Sequence, residues 1–259
     1  MIQHLSYSSI SKYLKCHRQW KHKYIDEWEE PTNDNLLFGS AWHEYIRGVI
    51  QSDEPFNGNR EWGNWNEVFH SYINKFKNSD NYEKLLAVGE SISTTEAVYK
   101  TLQSLKPMPE SIEKQIELHI PGVEVPIIGY IDMIEDGTMI PVDFKTASKK
   151  WTVASERNGG IGRAETELQA TFYIAALEQA GMITLPHTFR YIIFTKTSKP
   201  TVQIIDTVRT AQHVFELHEM INDVWHGIKH KAFGKTDPGN WWCSAKWCSF
   251  YDRCKNGKA

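Results

Sequence analysis

Asp143 and Lys145 stand two residues apart in Pro-Val-Asp-Phe-Lys-Thr, on an expected strand, so both side chains leave the same face. Asp132 lies on the preceding expected strand, Val125–Ile134, which a Glu135-Asp136-Gly137 turn joins to the next, Thr138–Phe144. Antiparallel pairing in such a hairpin brings Asp132 beside Asp143. Two carboxylates held together make a site for a hard divalent cation, Mg²⁺ or Mn²⁺. A lysine on the same face can orient an attacking water and stabilise charge building on a phosphate. This set suits phosphodiester hydrolysis, where a metal polarises the phosphoryl oxygen and acidifies its bound water. Asp-x-Lys by itself recurs by chance. Gly-x-x-Asp, a turn, then Pro-x-Asp-x-Lys says more, because it specifies both strands and their shared face.

The surrounding elements must position these groups. Helices come first: one from Ser8 or Ser9 to about Tyr24, one starting near Gly39, then two more over 61–78 and 81–105, closed by Pro107 and Pro109. Ile112–Ile120 changes period, with Ile116, Leu118 and Ile120 alternating with polar residues as in a strand. After the hairpin, residues 147–163 read as a polar, Gly-containing loop. A helix over about 164–180, strands at 188–196 and 201–207, a helix over about 209–231 and an irregular Cys/Trp tail follow. The expected fold is α/β: a mixed sheet flanked by helices, with a helical N-terminal part. It forms one domain over 1–259, with a helical insertion near 55–108.

The four cysteines are distributed unevenly. Cys16 is near the start, while Cys243, Cys248 and Cys254 crowd the segment 235–259. Structural disulfides have little use inside a cell. Four thiolates so placed suit either a [4Fe–4S] cluster or zinc. Three of the ten tryptophans (Trp241, Trp242, Trp247) lie among these cysteines, as core residues or as platforms for single-stranded bases; core packing is the expectation for most.

With 41% hydrophobic and 24% charged residues, the composition is that of a globular protein with no membrane-length apolar run. The first residues lack the apolar core of a signal peptide, so a cytoplasmic location is expected. A net charge of −3 does not mark a nucleic-acid binder, but basic residues cluster locally. One group is Lys12, Lys15, Arg18, Lys21 and Lys23; the other is Lys145, Lys149, Lys150, Arg157 and Arg163, whose loop is expected to grip substrate near the metal. The phosphate loop Gly-x-x-x-x-Gly-Lys-Ser/Thr is not in the sequence, so no motor of that type is expected in this chain.

Taken together, Asp132, Asp143 and Lys145 resemble the signature of the PD-(D/E)XK nuclease superfamily, with its restriction-endonuclease-like sheet. That resemblance implies that Asp132 and Asp143 ligate metal, that the backbone carbonyl of Phe144 adds a ligand, and that Lys145 positions the water. Phe38-Gly39-Ser40-Ala41-Trp42-His43 resembles the Gly-x-x-x-His element that RecB-type nucleases place at a helix start, which makes His43 a further ligand. Gln169 and Tyr173 resemble that group's Gln-x-x-x-Tyr pair, close to the active site and the DNA backbone. Glu113 and Glu117, on the first expected strand, stand as further acidic neighbours. The cysteine topology resembles RecB-type nucleases in which Cys16, Cys243, Cys248 and Cys254 hold an iron–sulfur cluster that staples the chain ends. His17 where a proline is common, and a four-residue first gap where two is common, depart from that pattern.

The resemblance implies a DNA nuclease, an exonuclease acting on single strands or DNA ends in recombination, repair or phage DNA metabolism, working with a helicase or recombination protein. Two other classes remain open. One is a catalytically silent DNA-binding partner on the same fold; the other is an iron–sulfur redox protein, which leaves Asp132, Asp143 and Lys145 unexplained.

Overall fold

The computed structural model describes residues 2–31, 33–51, 65–76, 79–154 and 161–256. Strand β1 (Leu5–Ser6) leads into helices α1 (Tyr7–Lys15), α2 (His17–Tyr24) and α3 (Asp34–Gln51). Helices α4 (Trp65–His70), α5 (Ser79–Ser93) and α6 (Glu96–Ser104) follow, with a 3₁₀ turn at Ile73–Lys75. Strands β2 (Lys114–Leu118), β3 (Ile127–Ile131), β4 (Met133–Ile134) and β5 (Pro141–Ala147) come next. Then come α7 (Arg163–Thr166), α8 (Leu168–Gln179), β6 (His187–Thr195), β7 (Val202–Arg209), α9 (Ala211–Lys229) and α10 (Tyr251–Asn256). The fold is mixed α/β with a helical N-terminal part, as expected. The strands among the described residues form two sheets, ordered β1-β3-β2 and β4-β5-β6-β7.

The chain sorts into two compact units, each drawn from separated segments. One comprises Met1–Pro31, Ile116–Gly129 and Ala211–Ala259; the other Thr32–Gln115 and Tyr130–Thr210.

In the second unit, β5 pairs antiparallel with β4 and parallel with β6, and β6 pairs antiparallel with β7. Val142 and Phe144 turn one face of β5 into a cluster with Phe38, Trp42, Phe69 and Phe194. Fully burying each large side chain there stabilises the unit by roughly 1.5–3 kcal/mol. The pleat then sends Asp143 and Lys145 to the opposite face, where α8 packs against β6 and β7. Residues Ala170–Leu177 of α8 are all buried, so it is a core helix rather than an amphipathic surface one.

Several element limits differ from the sequence expectation. The first helix is two: Ser6, not Ser8 or Ser9, caps α1 in a reciprocal box with Ser9, and the chain breaks at Cys16. Cys16 is extended (φ −162, ψ 110), and its sulfur accepts the Gln19 N–H as the cap of α2. Helix α3 starts at Asp34, so Gly39 and His43 lie inside it rather than at its start. The expected helix over 81–105 is interrupted at Thr94 and Thr95, whose hydroxyls bond back to Glu90 and Ser91 carbonyls. The strand expected over Val125–Ile134 is interrupted at Asp132. The helix expected over 164–180 breaks at Glu167, because the buried Arg209 guanidinium donates to the carbonyls of Ala164 and Glu167, which would otherwise be orphaned at the end of α7. The tail carries turns and α10. Parts of the expected insertion (52–64, 77 and 78) and of the 147–163 loop (155–160, including Arg157) lie outside the described residues.

In the first unit, β1 runs parallel to β3, pairing Leu5 with Ile127. Three lysines of its basic helices have counter-charges. Lys12 and Lys23 both bind Glu30, and Lys21 binds Asp26. The tryptophans of the tail are not core: Trp241 and Trp247 are more than half exposed. No helix among the described residues is long and apolar enough to cross a membrane.

Candidate metal centre

Three side chains from separate segments converge in the second unit. His43 comes from mid-α3, Glu113 from just before β2, and Asp132 from the break between β3 and β4. One candidate ligand atom from each lies within 4.8 Å of the others, the only such group of three among the described residues. His43 Nδ1 is 3.2 Å from Asp132 Oδ1. The other Asp132 oxygen accepts the Phe144 N–H at 2.7 Å, which anchors the carboxylate to β5. The β4–β5 register, Met133 opposite Val142, puts Asp132 opposite Asp143 when continued by one residue. Glu113 sits at φ 53, a left-handed conformation that costs a residue with a Cβ about 1–2 kcal/mol. Its N–H donates to the Asp132 carbonyl, which holds that conformation.

Asp143 is 1% exposed. Its Oδ1 accepts from Lys145 Nζ at 3.0 Å and from Gln169 Nε2 at 2.8 Å. Its Oδ2 is 2.9 Å from the Lys145 amine, yet it receives no well-formed hydrogen bond. A buried carboxylate oxygen left so is costly unless something positive meets it. Gln169 also accepts from Lys145 at 2.9 Å and donates to Tyr173 Oη at 3.0 Å, while that hydroxyl donates to the Tyr130 carbonyl at 2.7 Å. One amide thus orders both members of the Asp143–Lys145 pair.

The electrostatics are those of crowded acids. Burial, helped by the Asp132 charge, pushes Asp143 up to about 6 against the pull of Lys145. Burial, then the neighbouring Asp132, raises Glu113. Burial opposes the charged form of His43, but Asp132 and Asp143 outweigh it and hold the imidazole at about 9. The same contest leaves Lys145 above its ordinary value, burial losing to Asp143 and Asp132. The site therefore draws positive charge to itself, and one imidazole with three carboxylates is a donor set a divalent cation would fit.

The site opens into a groove of about 580 Å³, whose lining includes Gly39, His43, Arg47, Phe144, Lys145 and Thr146. A model of the PD-(D/E)XK nuclease superfamily matches residues 4–255. This chain belongs to that superfamily. The match runs through both units and includes every site residue named above. Among solved structures, that of an exonuclease candidate from Eubacterium rectale is similar over 99% of this chain and 89% of that one, at 14% identity and a TM-score of 0.60. That of SSO0001 covers 83% of this chain and 93% of its own, at 12% identity and a TM-score of only 0.34. No curated protein matches the chain.

Asp143, Lys145, Gln169 and Tyr173 form one hydrogen-bonded set, His43 stands beside Asp132, and His43, Phe144 and Lys145 line the groove. Glu113 was legible only as one of two acidic neighbours, since nothing in its local pattern marks it. Glu117, the other, is exposed beside His119 instead. In the 147–163 loop, Lys149 and Lys150 are exposed, whereas Arg163 is engaged, paired with Glu167 and stacked 4.2 Å over Trp151.

Cys16, Cys243, Cys248 and Cys254 line one cavity of the first unit, with His22, Trp242 and Phe250 among its walls. Burial pushes the Cys248 thiol up, and Cys16, Cys254 and Cys243 add to the rise. The four sulfurs do not gather within 4.8 Å of one another as the His43 group does.

Proposed function

We propose that this chain is a metal-dependent deoxyribonuclease, acting as an exonuclease on single strands or DNA ends. The observation that carries this is the convergence of His43, Glu113 and Asp132 beside a buried Asp143 whose Oδ2 receives no well-formed hydrogen bond, with Lys145 on the same strand face. His43, Asp132, Asp143 and the Phe144 carbonyl, with Glu113 added, would hold Mg²⁺ or Mn²⁺. A cation there would supply Lewis acidity and a bound water of lowered pKa. Lys145 would orient an attacking water and offset charge building on the phosphate. Gln169 keeps the lysine and Asp143 in register, and Tyr173 fixes Gln169 against the Tyr130 carbonyl. Exonuclease action is favoured by the description of the Eubacterium rectale protein of like fold.

The same proposal includes a [4Fe–4S] cluster held by Cys16, Cys243, Cys248 and Cys254. Its support is the shared cavity, which joins a cysteine near the start to three near the end. Tetrahedral zinc, with Zn–S of about 2.3 Å, needs sulfurs about 3.8 Å apart. A cluster binds each sulfur at a different iron, so wider spacing suits it better. The role is to staple the first unit, and a recombination or helicase partner is the setting such a nuclease fits.

Digestion of end-labelled linear single- and double-stranded DNA with Mn²⁺ or Mg²⁺, beside Lys145→Ala, tests the reading. Cleavage by the wild type alone is expected, with a ladder that gives the polarity. Equal cleavage by Lys145→Ala refutes the assigned chemistry, and binding without cleavage by the wild type makes the chain a DNA-binding partner instead.

A further inference from the structure

Lys196 is a cation beside the groove with no acidic partner among the described residues. It follows β6 directly, and its N–H donates to the Ala147 carbonyl at the end of β5, 2.7 Å away, two residues beyond Lys145. Its amine donates to Asn35 Oδ1 at 2.9 Å and stands 5.0 Å over the Phe38 ring. Asn35 is part of the groove wall together with Lys145 and Thr146. Burial lowers the pKa of Lys196, and no carboxylate among the described residues offsets that. By contrast, Lys12, Lys21 and Lys23 in the first unit each have an acid.

Half-burying an ammonium costs free energy that a neutral amide and a ring face only partly return. The cost makes sense if the missing negative charge arrives with the ligand. Resting on the nuclease reading above, we propose that Lys196 is a phosphate-binding residue, taking a backbone phosphate of the nucleic acid strand adjacent to the phosphodiester held at Asp132, Asp143 and Lys145. Asn35 and Phe38 hold the amine ready, so little side-chain freedom is lost when the phosphate docks. The contact reads backbone rather than base, and it acts on every sequence alike. Arg47, also on the groove wall, is a second cation with no ion pair among the described residues, and it extends the same electrostatic track.

The test is binding of a short single-stranded oligonucleotide to the full chain in Ca²⁺, followed across about 50–200 mM salt, for wild type, Lys196→Gln and Lys196→Arg. Lys196→Gln is expected to weaken binding about 3–10-fold and to reduce the slope of log K against log salt by about 0.7, the value of one single-strand phosphate contact. Lys196→Arg keeps the slope. In cleavage assays with Mn²⁺ the loss falls on KM. Urea midpoints of all three proteins separate a folding defect from a binding one. Wild-type slope in Lys196→Gln overturns the proposal, whether or not that variant is less stable, and would make the lysine a structural prop on Phe38. A wild type that binds no DNA sinks the nuclease reading and this proposal together, whereas cleavage with an unchanged Lys196→Gln slope sinks this one alone.

Discussion

Metal binding should release the His43 proton, and the size of the effect follows from the site. Asp132 and Asp143 hold the metal-free imidazole at about 9. At about pH 7 it is thus charged, and a metal taking that nitrogen must displace a proton at a cost of about 2.7 kcal/mol, or roughly 100-fold in apparent affinity. Between about pH 6.5 and 8.5 the logarithm of the Mn²⁺ association constant should rise by about one per pH unit. Asp143, at about 6, adds its own dependence at the low end of that window and below it. Linkage sets the opposite sign for the metal-free fold. A histidine raised from 6.5 to about 9 contributes stability that is full below 6.5 and is lost as pH rises through 9. Metal-free protein should therefore lose stability over the range in which Mn²⁺ affinity rises, and the two trends offset each other in the metal-loaded protein. Mn²⁺ titration by calorimetry in two buffers of different ionisation enthalpy measures both affinity and proton release. His43→Gln keeps an acceptor or donor for Asp132 but cannot titrate there, so its affinity should be lower at about pH 8.5 and nearly flat with pH. A flat wild-type profile, or an equal slope in His43→Gln, would refute the ligand assignment.

Three further outcomes are expected. Gln169→Leu removes the amide shared by Lys145, Asp143 and Tyr173 and should lower kcat by about 10–100-fold, with Mn²⁺ affinity changed far less; equal losses in both would mean that Gln169 shapes the metal site itself. Arg209→Ala should destabilise the second unit by about 3–5 kcal/mol in urea unfolding, because the 2%-exposed guanidinium is bonded to Thr171, Thr207 and the carbonyls around the α7–α8 break. Arg209→Lys should recover little of this, since one ammonium cannot reach all of those acceptors. Cys254→Ser should bleach the visible absorbance of anaerobically purified protein and lower its iron content; unchanged iron, or stoichiometric zinc in the wild type, would overturn the cluster.

The hairpin and the placement of its acids and lysine were legible because their signals are local. Pleat alternation puts Asp143 and Lys145 on one face, and the turn before them brings Asp132 opposite Asp143, whatever the rest of the chain does. The i,i+4 spacing of Gln169 and Tyr173 on α8 is equally local. Helix limits were less legible. The break at Glu167 depends on Arg209, which arrives from β7, and the break at Cys16 depends on a sulfur acting as a cap, which helix propensity does not anticipate.

Composition and period determined that this is an α/β chain with an acidic hairpin and cysteines at both ends. Only the tertiary structure decided that α3 runs past Gly39 to present His43 from its middle, and that Glu113, in a left-handed conformation, completes the group around Asp132. It also decided that, among the described residues, Lys196 has no acidic partner while Lys12, Lys21 and Lys23 find theirs. The physical reason is range: periodicity and propensity act over a few residues, whereas ligand convergence, burial and charge pairing depend on segments that meet only when the chain has folded.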